Sequence, residues 1–175
     1  MENWKAEIVK AVFVRQRLDE LDEARLFDYP LPEVAASEDE VSATETELGF
    51  ALDPQYRQFL RFANGWRSLL QSIDLFGTRQ LLGEPLMDVA RLQLDAIDDD
   101  DFVHEVGCAI SDAVPIGASA VQADMFLLGR PQSPIAGQVV WLAGSLVDRF
   151  PGFDEFFLTM VDHNRQQIQY FERPR

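Results

Sequence analysis

The sequence predicts an α+β fold: a single domain in which helices pack on a largely antiparallel sheet. Of the 175 residues, 47% are hydrophobic and 13 are phenylalanine, which is enough for one sizeable core. Helical apolar spacing dominates the first part of the chain, and short strand-like runs dominate the later part. Because short links join those runs, the strands are expected to pair antiparallel.

The chain begins with a predicted helix over residues 2–28. Apolar side chains recur at helical spacing as far as Phe27, and a pair of prolines beginning at Pro30 ends the pattern. We therefore divide the chain into residues 1–36, an N-terminal helix and linker, and residues 37–175, the α+β domain. Together they are expected to form one compact domain.

The second predicted helix has clear signals at both ends. Ser37 is a good N-cap, and Glu40 follows three residues later, as a capping box requires. The helix is expected to run to Leu48, because Gly49 then supplies a C-terminal stop.

The third predicted helix begins in the stretch DPQYRQFLRFANGW. Asp53 is the predicted N-cap, and Pro54 suits the first helical position because its missing N–H would be unpaired there. Asn64-Gly65 is expected to end the helix, since both residues tolerate the left-handed conformation. One apolar stripe, at helical spacing, is formed by Tyr56, Phe59, Leu60 and Ala63.

Beyond this helix the apolar period changes, and shorter elements are expected. The predicted elements are a strand at 69–76, a helix mixed with an acidic segment at 86–106, strands at 113–117, 125–128 and 139–143, and a final helix at 153–167.

The chain is strongly acidic, with 30 acidic and 15 basic side chains and a formal net charge of −15. Such a surface repels nucleic acid and anionic membranes and attracts basic partners. The alternative interpretation is that the excess charge only keeps the protein soluble. Cys108 is the single cysteine and no apolar run approaches the length of a membrane span, so a cytoplasmic protein is expected.

The sequence lacks the common catalytic motifs: a nucleophile elbow, a Walker loop, a dinucleotide fingerprint and a paired-cysteine metal site. On a helix, Asp100, His104 and Cys108 would share one face at metal-binding spacing. A solvated acidic turn is the favoured interpretation, because four consecutive aspartates discourage a regular helix. The sequence therefore predicts no enzyme, no cofactor and no metal site, and a metal-dependent hydrolase is the least favoured alternative.

Two acidic runs are candidates for contact with a basic partner. The first comprises Asp98, Asp99, Asp100 and Asp101, and the second comprises Glu38, Asp39 and Glu40. The alternative role for the second run is to complement a helix dipole. Core or edge packing is the favoured interpretation of Trp66, but an exposed Trp66 is also named as the first candidate for an apolar anchor in the interface.

The chain resembles the SUKH superfamily most clearly in one segment, VSATETELGFALDPQYRQFLRFANG. Nine residues of this segment have the spacing of the superfamily signature. These signature residues are Val41, Glu45, Leu48, Gly49, Leu52, Tyr56, Leu60, Asn64 and Gly65. Similar segments, such as VPIGAS at 114–119, extend the resemblance over about residues 37–160. Pro54 stands one place later than the proline of the family pattern, which the physics of helix capping tolerates.

The SUKH superfamily contains a fungal cell-wall-synthesis regulator and many bacterial immunity proteins. The resemblance implies that the signature residues specify the fold rather than catalyse a reaction. It also implies a non-enzymatic protein-binding domain, and an immunity protein that neutralises a cognate toxin is the first hypothesis. Many such toxins are nucleases, so resemblance and charge together imply a basic toxin domain as the partner. The alternative is a regulatory scaffold or a phage-related binding protein.

Overall fold

The two helices with clear capping signals both form and start as predicted, but the third helix ends at Leu60, before the predicted stop at Asn64-Gly65. In the computed structural model, which describes residues 3–173, α2 spans Glu38–Leu48 and α3 spans Pro54–Leu60. The hydroxyl of Ser37 accepts a hydrogen bond from the backbone N–H of Glu40 at 3.1 Å. The Glu40 carboxylate accepts one in return from the N–H of Ser37 at 2.6 Å, which completes the predicted capping box.

The first helix, α1 (Trp4–Leu21), is shorter than predicted. The cause is Asp22, whose buried carboxylate accepts hydrogen bonds at 3.1 Å from the backbone N–H of Phe27 and from the hydroxyl of Tyr29. These bonds organise a turn that competes with further helix. The predicted start at residue 2 lies outside the described residues, as do residues 1, 174 and 175 of the predicted domain ranges.

The acidic segment is the start of a helix, contrary to the sequence-based expectation. The Asp98 carboxylate caps it by accepting from the backbone N–H groups of Asp100 at 2.9 Å and Asp101 at 3.3 Å. Aspartate is unfavourable inside a helix but favourable at the N-cap and in the first turn, where it faces the positive end of the dipole. The remaining helices are α4 (Thr78–Leu81), α5 (Pro85–Asp95), α6 (Asp99–Val106) and α7 (Phe153–Phe171).

Six strands form one sheet in the order in which they occur along the chain, and every neighbouring pair is antiparallel. The predicted α+β fold class is therefore confirmed. The strands are β1 (Trp66–Leu70), β2 (Ile73–Leu75), β3 (Ala113–Ser119), β4 (Asp124–Gly129), β5 (Val139–Ala143) and β6 (Leu146–Phe150).

The sheet departs from the sequence prediction at both edges. The predicted strand 69–76 is a hairpin, because Gln71 takes a positive φ of 52° and reverses the chain between β1 and β2. The last strand, β6, was not predicted, since only Phe150 of its five residues is buried. An edge strand that covers little of the core shows no alternating apolar pattern.

Helices cover both faces of the sheet. The ring of Trp141 in β5 meets His163 of α7 at 5.6 Å, whereas the next residue, Leu142, lines a cleft with Phe102 of α6. Successive side chains of a strand point to opposite faces, so α6 and α7 lie on opposite sides of the sheet.

The N-terminal helix α1 packs into the main core. Trp4 is 1% exposed, and its ring lies 5.4 to 5.6 Å from the rings of Phe59, Phe153 and Phe157. On the same helix, the buried Arg15 guanidinium donates a hydrogen bond to the backbone carbonyl of Leu69 in β1 at 3.1 Å. The division at residue 36 remains a proposal. Helix α1 contributes side chains to the same core as the sheet.

Candidate partner-binding surface

Tyr56 in the first turn of α3 and Asn64 in the loop after it both bind the turn that precedes α4. The buried hydroxyl of Tyr56 donates to the backbone carbonyl of Phe76 at 2.7 Å. The side chain of Asn64 accepts from the backbone N–H of Thr78 at 2.8 Å and donates to its hydroxyl at 2.9 Å. Burial raises the pKa of Tyr56 well above its usual range, so its hydroxyl remains a hydrogen-bond donor.

The two glycines at this junction allow a close backbone approach. Gly65 has a φ of 91°, and a Cβ atom there would lie 2.6 Å from the backbone nitrogen of Gly77. A Cβ atom on Gly77 would lie 2.1 Å from the carbonyl oxygen of Asn64. The Asn-Gly pair therefore does not end α3, which stops at Leu60; instead it positions β1 directly against the β2–α4 turn.

The glutamate of the signature links the loop after α2 to α3. Glu45 accepts hydrogen bonds from the backbone N–H of Leu52 at 2.9 Å and from Nε of Arg57 at 3.3 Å. Gly49 closes α2 in the left-handed conformation, and Leu48 is half-buried. The remaining apolar signature residues are buried in the core: Val41, Leu52 and Leu60. The signature positions therefore act structurally.

We expect Tyr56→Phe to lower the free energy of unfolding by about 1–3 kcal/mol, because the buried carbonyl of Phe76 loses its donor. Urea denaturation followed by circular dichroism measures the change. Tyr170→Phe is the matched control, since Tyr170 is 69% exposed and should leave the stability unchanged. Equal midpoints for both variants would contradict a role for the Tyr56 hydroxyl.

The second acidic run is largely engaged within the protein. Glu38 forms ion pairs with Arg57 and Arg61, and the hydrogen bond from Arg57 lowers the pKa of this carboxyl. Hydrogen bonds from Ser37 lower the pKa of Glu40 in the same way. Asp39 is exposed. The cationic side chains beside this run reduce the field that it presents to a partner.

The first acidic run has no such compensation. Asp98, Asp99, Asp100 and Asp101 are all exposed at the start of α6. Between residues 3 and 173, none of the four carboxylates takes part in a salt bridge. In that part of the chain, the only hydrogen bonds to these carboxylates are the two that Asp98 accepts from backbone N–H groups of its own helix. The negative charge at this corner is therefore concentrated and open to solvent.

The candidate role of Trp66 as an exposed anchor is wrong. Its side chain is 1% exposed, and its indole N–H donates to the backbone carbonyl of Pro30 at 3.0 Å. Its ring lies 6.3 Å from that of Phe157 in α7, because β1 faces this helix across the core. Trp66 therefore packs inside the domain and is removed from the candidate partner surface.

The potential metal ligands near α6 do not share a helix face. Gly107 ends α6 in the left-handed conformation, so Cys108 lies beyond the helix and is buried, while Asp100 and His104 are exposed. In the part of the chain that the structure describes, no group of three or more histidine, cysteine or acidic side chains is arranged to hold a metal.

Apolar side chains next to the first acidic run were missed from the sequence. Val103 is 47% exposed, and it lines a groove with Ile110 and Asp99. The sequence signal for this contact is Asp98 as an N-cap. A helix that starts there places Asp99 and Val103 on one face, four residues apart.

Comparison with known proteins identifies the family. The model of the SMI1/KNR4 family (SUKH-1) matches residues 35–159, which is most of the chain. The protein belongs to the SMI1/KNR4 (SUKH-1) family. No curated protein matches the chain. All nine signature residues and all six strands of this SUKH-1 protein lie inside the matched range.

Membership of SUKH-1 supports, in general terms, an immunity or regulatory protein that acts through a protein partner. Members of the family are generally non-catalytic. Across residues 3–173, no helix combines the length and apolar character that crossing a bilayer requires.

Proposed function

We propose that this protein is an immunity protein that binds and neutralises a cognate toxin with a basic surface. The observation that carries the proposal is the uncompensated acidic run at the start of α6 in a member of the SUKH-1 family. The protein acts without catalysis, and we place it in the cytoplasm because its single cysteine suits a reducing compartment. The toxin domain is basic, as expected of an enzyme that handles nucleic acid.

The four aspartates act mainly on the encounter between the two proteins. Charges of one sign focused on one corner raise the local concentration of a cationic partner and orient its approach. Exposed charges of this kind change the association rate and its salt dependence more than the dissociation rate. The second run contributes less, because Arg57 and Arg61 offset Glu38.

The proposal is tested with the product of the neighbouring gene, expressed with and without this protein. That product should stop growth when expressed alone, and growth should return on co-expression. A product that is harmless alone contradicts immunity and favours the regulatory alternative.

Replacing all four aspartates with asparagine should slow association with the purified toxin by about tenfold at low salt and flatten the dependence on ionic strength. Asparagine caps a helix as well as aspartate does, so Asp98→Asn preserves the start of α6. Stopped-flow or surface-based kinetics over a salt series measure both quantities.

The matched control removes four negative charges elsewhere on the exposed surface, outside both acidic runs: Glu23→Gln, Asp28→Asn, Glu47→Gln and Glu155→Gln. Because its net charge equals that of the first variant, it separates a local effect from a global one. Equal association rates for the two variants would assign the acidic run to solubility alone.

A further inference from the structure

A groove that is apolar around Val103 and more polar along the α5–α6 turn lies beside the acidic start of α6. One part, of about 390 Å³, is lined by Asp99, Val103, Ala109, Ile110 and Ser111. A second part, of about 700 Å³ along the α5–α6 turn, adjoins it, since Asp99 and Ile110 line both. We name the combined surface the α6 groove. The end of α5 and the turn after it contribute Leu94, Asp95, Ala96, Ile97 and Asp98.

The part of the α6 groove around Val103 is apolar and accessible. Val103 is 47% exposed although it is β-branched and aliphatic, and Ile97 and Ile110 are half-buried. Single exposed apolar residues are common, but several that meet in one concavity mark a contact surface. An aliphatic or aromatic side chain of a partner that entered beside Val103 would cover Val103 and Ile110, which line the same part of the groove.

The rim of the α6 groove is anionic. Asp95, Asp98 and Asp99 line it, and no lysine or arginine is among its lining residues in the described chain. A partner that placed only an apolar side chain here would leave these carboxylates to be desolvated without compensation. A partner with cations beside the apolar side chain would satisfy both features.

We propose that the α6 groove is the docking site for a basic segment of the partner. One aliphatic or aromatic side chain of that segment occupies the groove, and flanking lysine or arginine side chains pair with Asp95, Asp98 and Asp99. This inference rests on the proposed function, to which it adds the position and the chemistry of the contact. The apolar anchor sets the lifetime of the complex, whereas the aspartates set its rate of formation.

The test uses the full chain and a capped synthetic peptide, Gly-Arg-Arg-Leu-Trp-Arg-Arg-Gly, followed by NMR titration at low salt. The largest shift changes should fall within residues 95–111. Val103→Gln should weaken binding by about tenfold, because the variant loses the apolar contact at an exposed helical position. Leu92→Gln is the control, because Leu92 is 72% exposed on α5 and does not line the groove. The affinity of this variant for the peptide should equal that of the parent.

A second peptide, with serine in place of leucine and tryptophan, should bind the parent more weakly than the first peptide does. Its affinity should be the same for the parent and for Val103→Gln. Shifts spread over the whole acidic surface, equal affinities of the parent and Val103→Gln for the first peptide, or no saturable binding would overturn the proposal. If the groove fails while co-expression still protects cells from the toxin, only the docking site is rejected. If peptide binding maps to the groove but no toxin is neutralised, the proposed function fails and the groove remains a cationic-segment site.

Discussion

Gly65→Val is expected to destabilise the protein by about 3 kcal/mol or more, because strain and overpacking act together. The φ of 91° at this position is one that a β-branched residue resists. The new Cβ atom would also lie 2.6 Å from the backbone nitrogen of Gly77 and 2.9 Å from the carbonyl oxygen of Leu75. Both neighbours are backbone atoms, so relief requires β1 to move away from the β2–α4 turn.

Gly83→Val separates the two contributions. Gly83 also has a positive φ, of 109°, but a Cβ atom there would have no neighbour within 4 Å. The free energy of unfolding of this control should therefore fall only by the cost of placing valine at a positive φ, about 1–3 kcal/mol. Chemical denaturation of the parent and both variants measures the difference. If the two variants prove equally stable, the close approach at Gly65 is not important for the fold.

Trp4→Ala is expected to cost about 3–5 kcal/mol, as for other large aromatic side chains removed from a core. The residue is 1% exposed, and its ring packs against Phe59 of α3 and against Phe153 and Phe157 of α7. Removing the indole would leave a cavity between three elements, of which α3 lies in the matched SUKH-1 region and α7 begins in it. The experiment therefore tests whether α1 is energetically part of the domain.

Phe13→Ala is the control on the same helix, because Phe13 is 65% exposed and loses little burial. Its stability should stay within about 0.5 kcal/mol of the parent, as for surface substitutions in general. A melting temperature for Trp4→Ala that matches the parent would show that α1 is an appendage, and residues 1–36 would then be a separable unit.

The scaffold and the proposed contact surface use different residues. None of the nine signature residues lines the α6 groove. The signature residues join α2, α3 and the β2–α4 turn through core packing and hydrogen bonds. Substitution in the groove should therefore change partner binding without unfolding the domain, and substitution in the signature should do the reverse.

The sequence by itself determined the elements whose signals are local. The capping box at Ser37, the Asp53-Pro54 start and the left-handed Gly49 each act within a few residues, so α2 and α3 were predictable. The strands at 113–117, 125–128 and 139–143 were predictable because apolar runs bounded by turn residues identify buried strands. The signature spacing identified the family on the same local basis.

Only the tertiary structure decided the features that depend on distant partners. Trp66 is buried because Pro30 and α7 meet it, and Glu38 is neutralised because α3 brings Arg57 and Arg61 beside it. The edge strand β6 has no apolar alternation of its own, and it forms because β5 supplies a hydrogen-bonding partner. The α6 groove likewise exists only where the α5–α6 turn and the segment at Ile110 meet. Burial, charge compensation and concavity are properties of contacts between elements, so a local pattern in the sequence does not encode them.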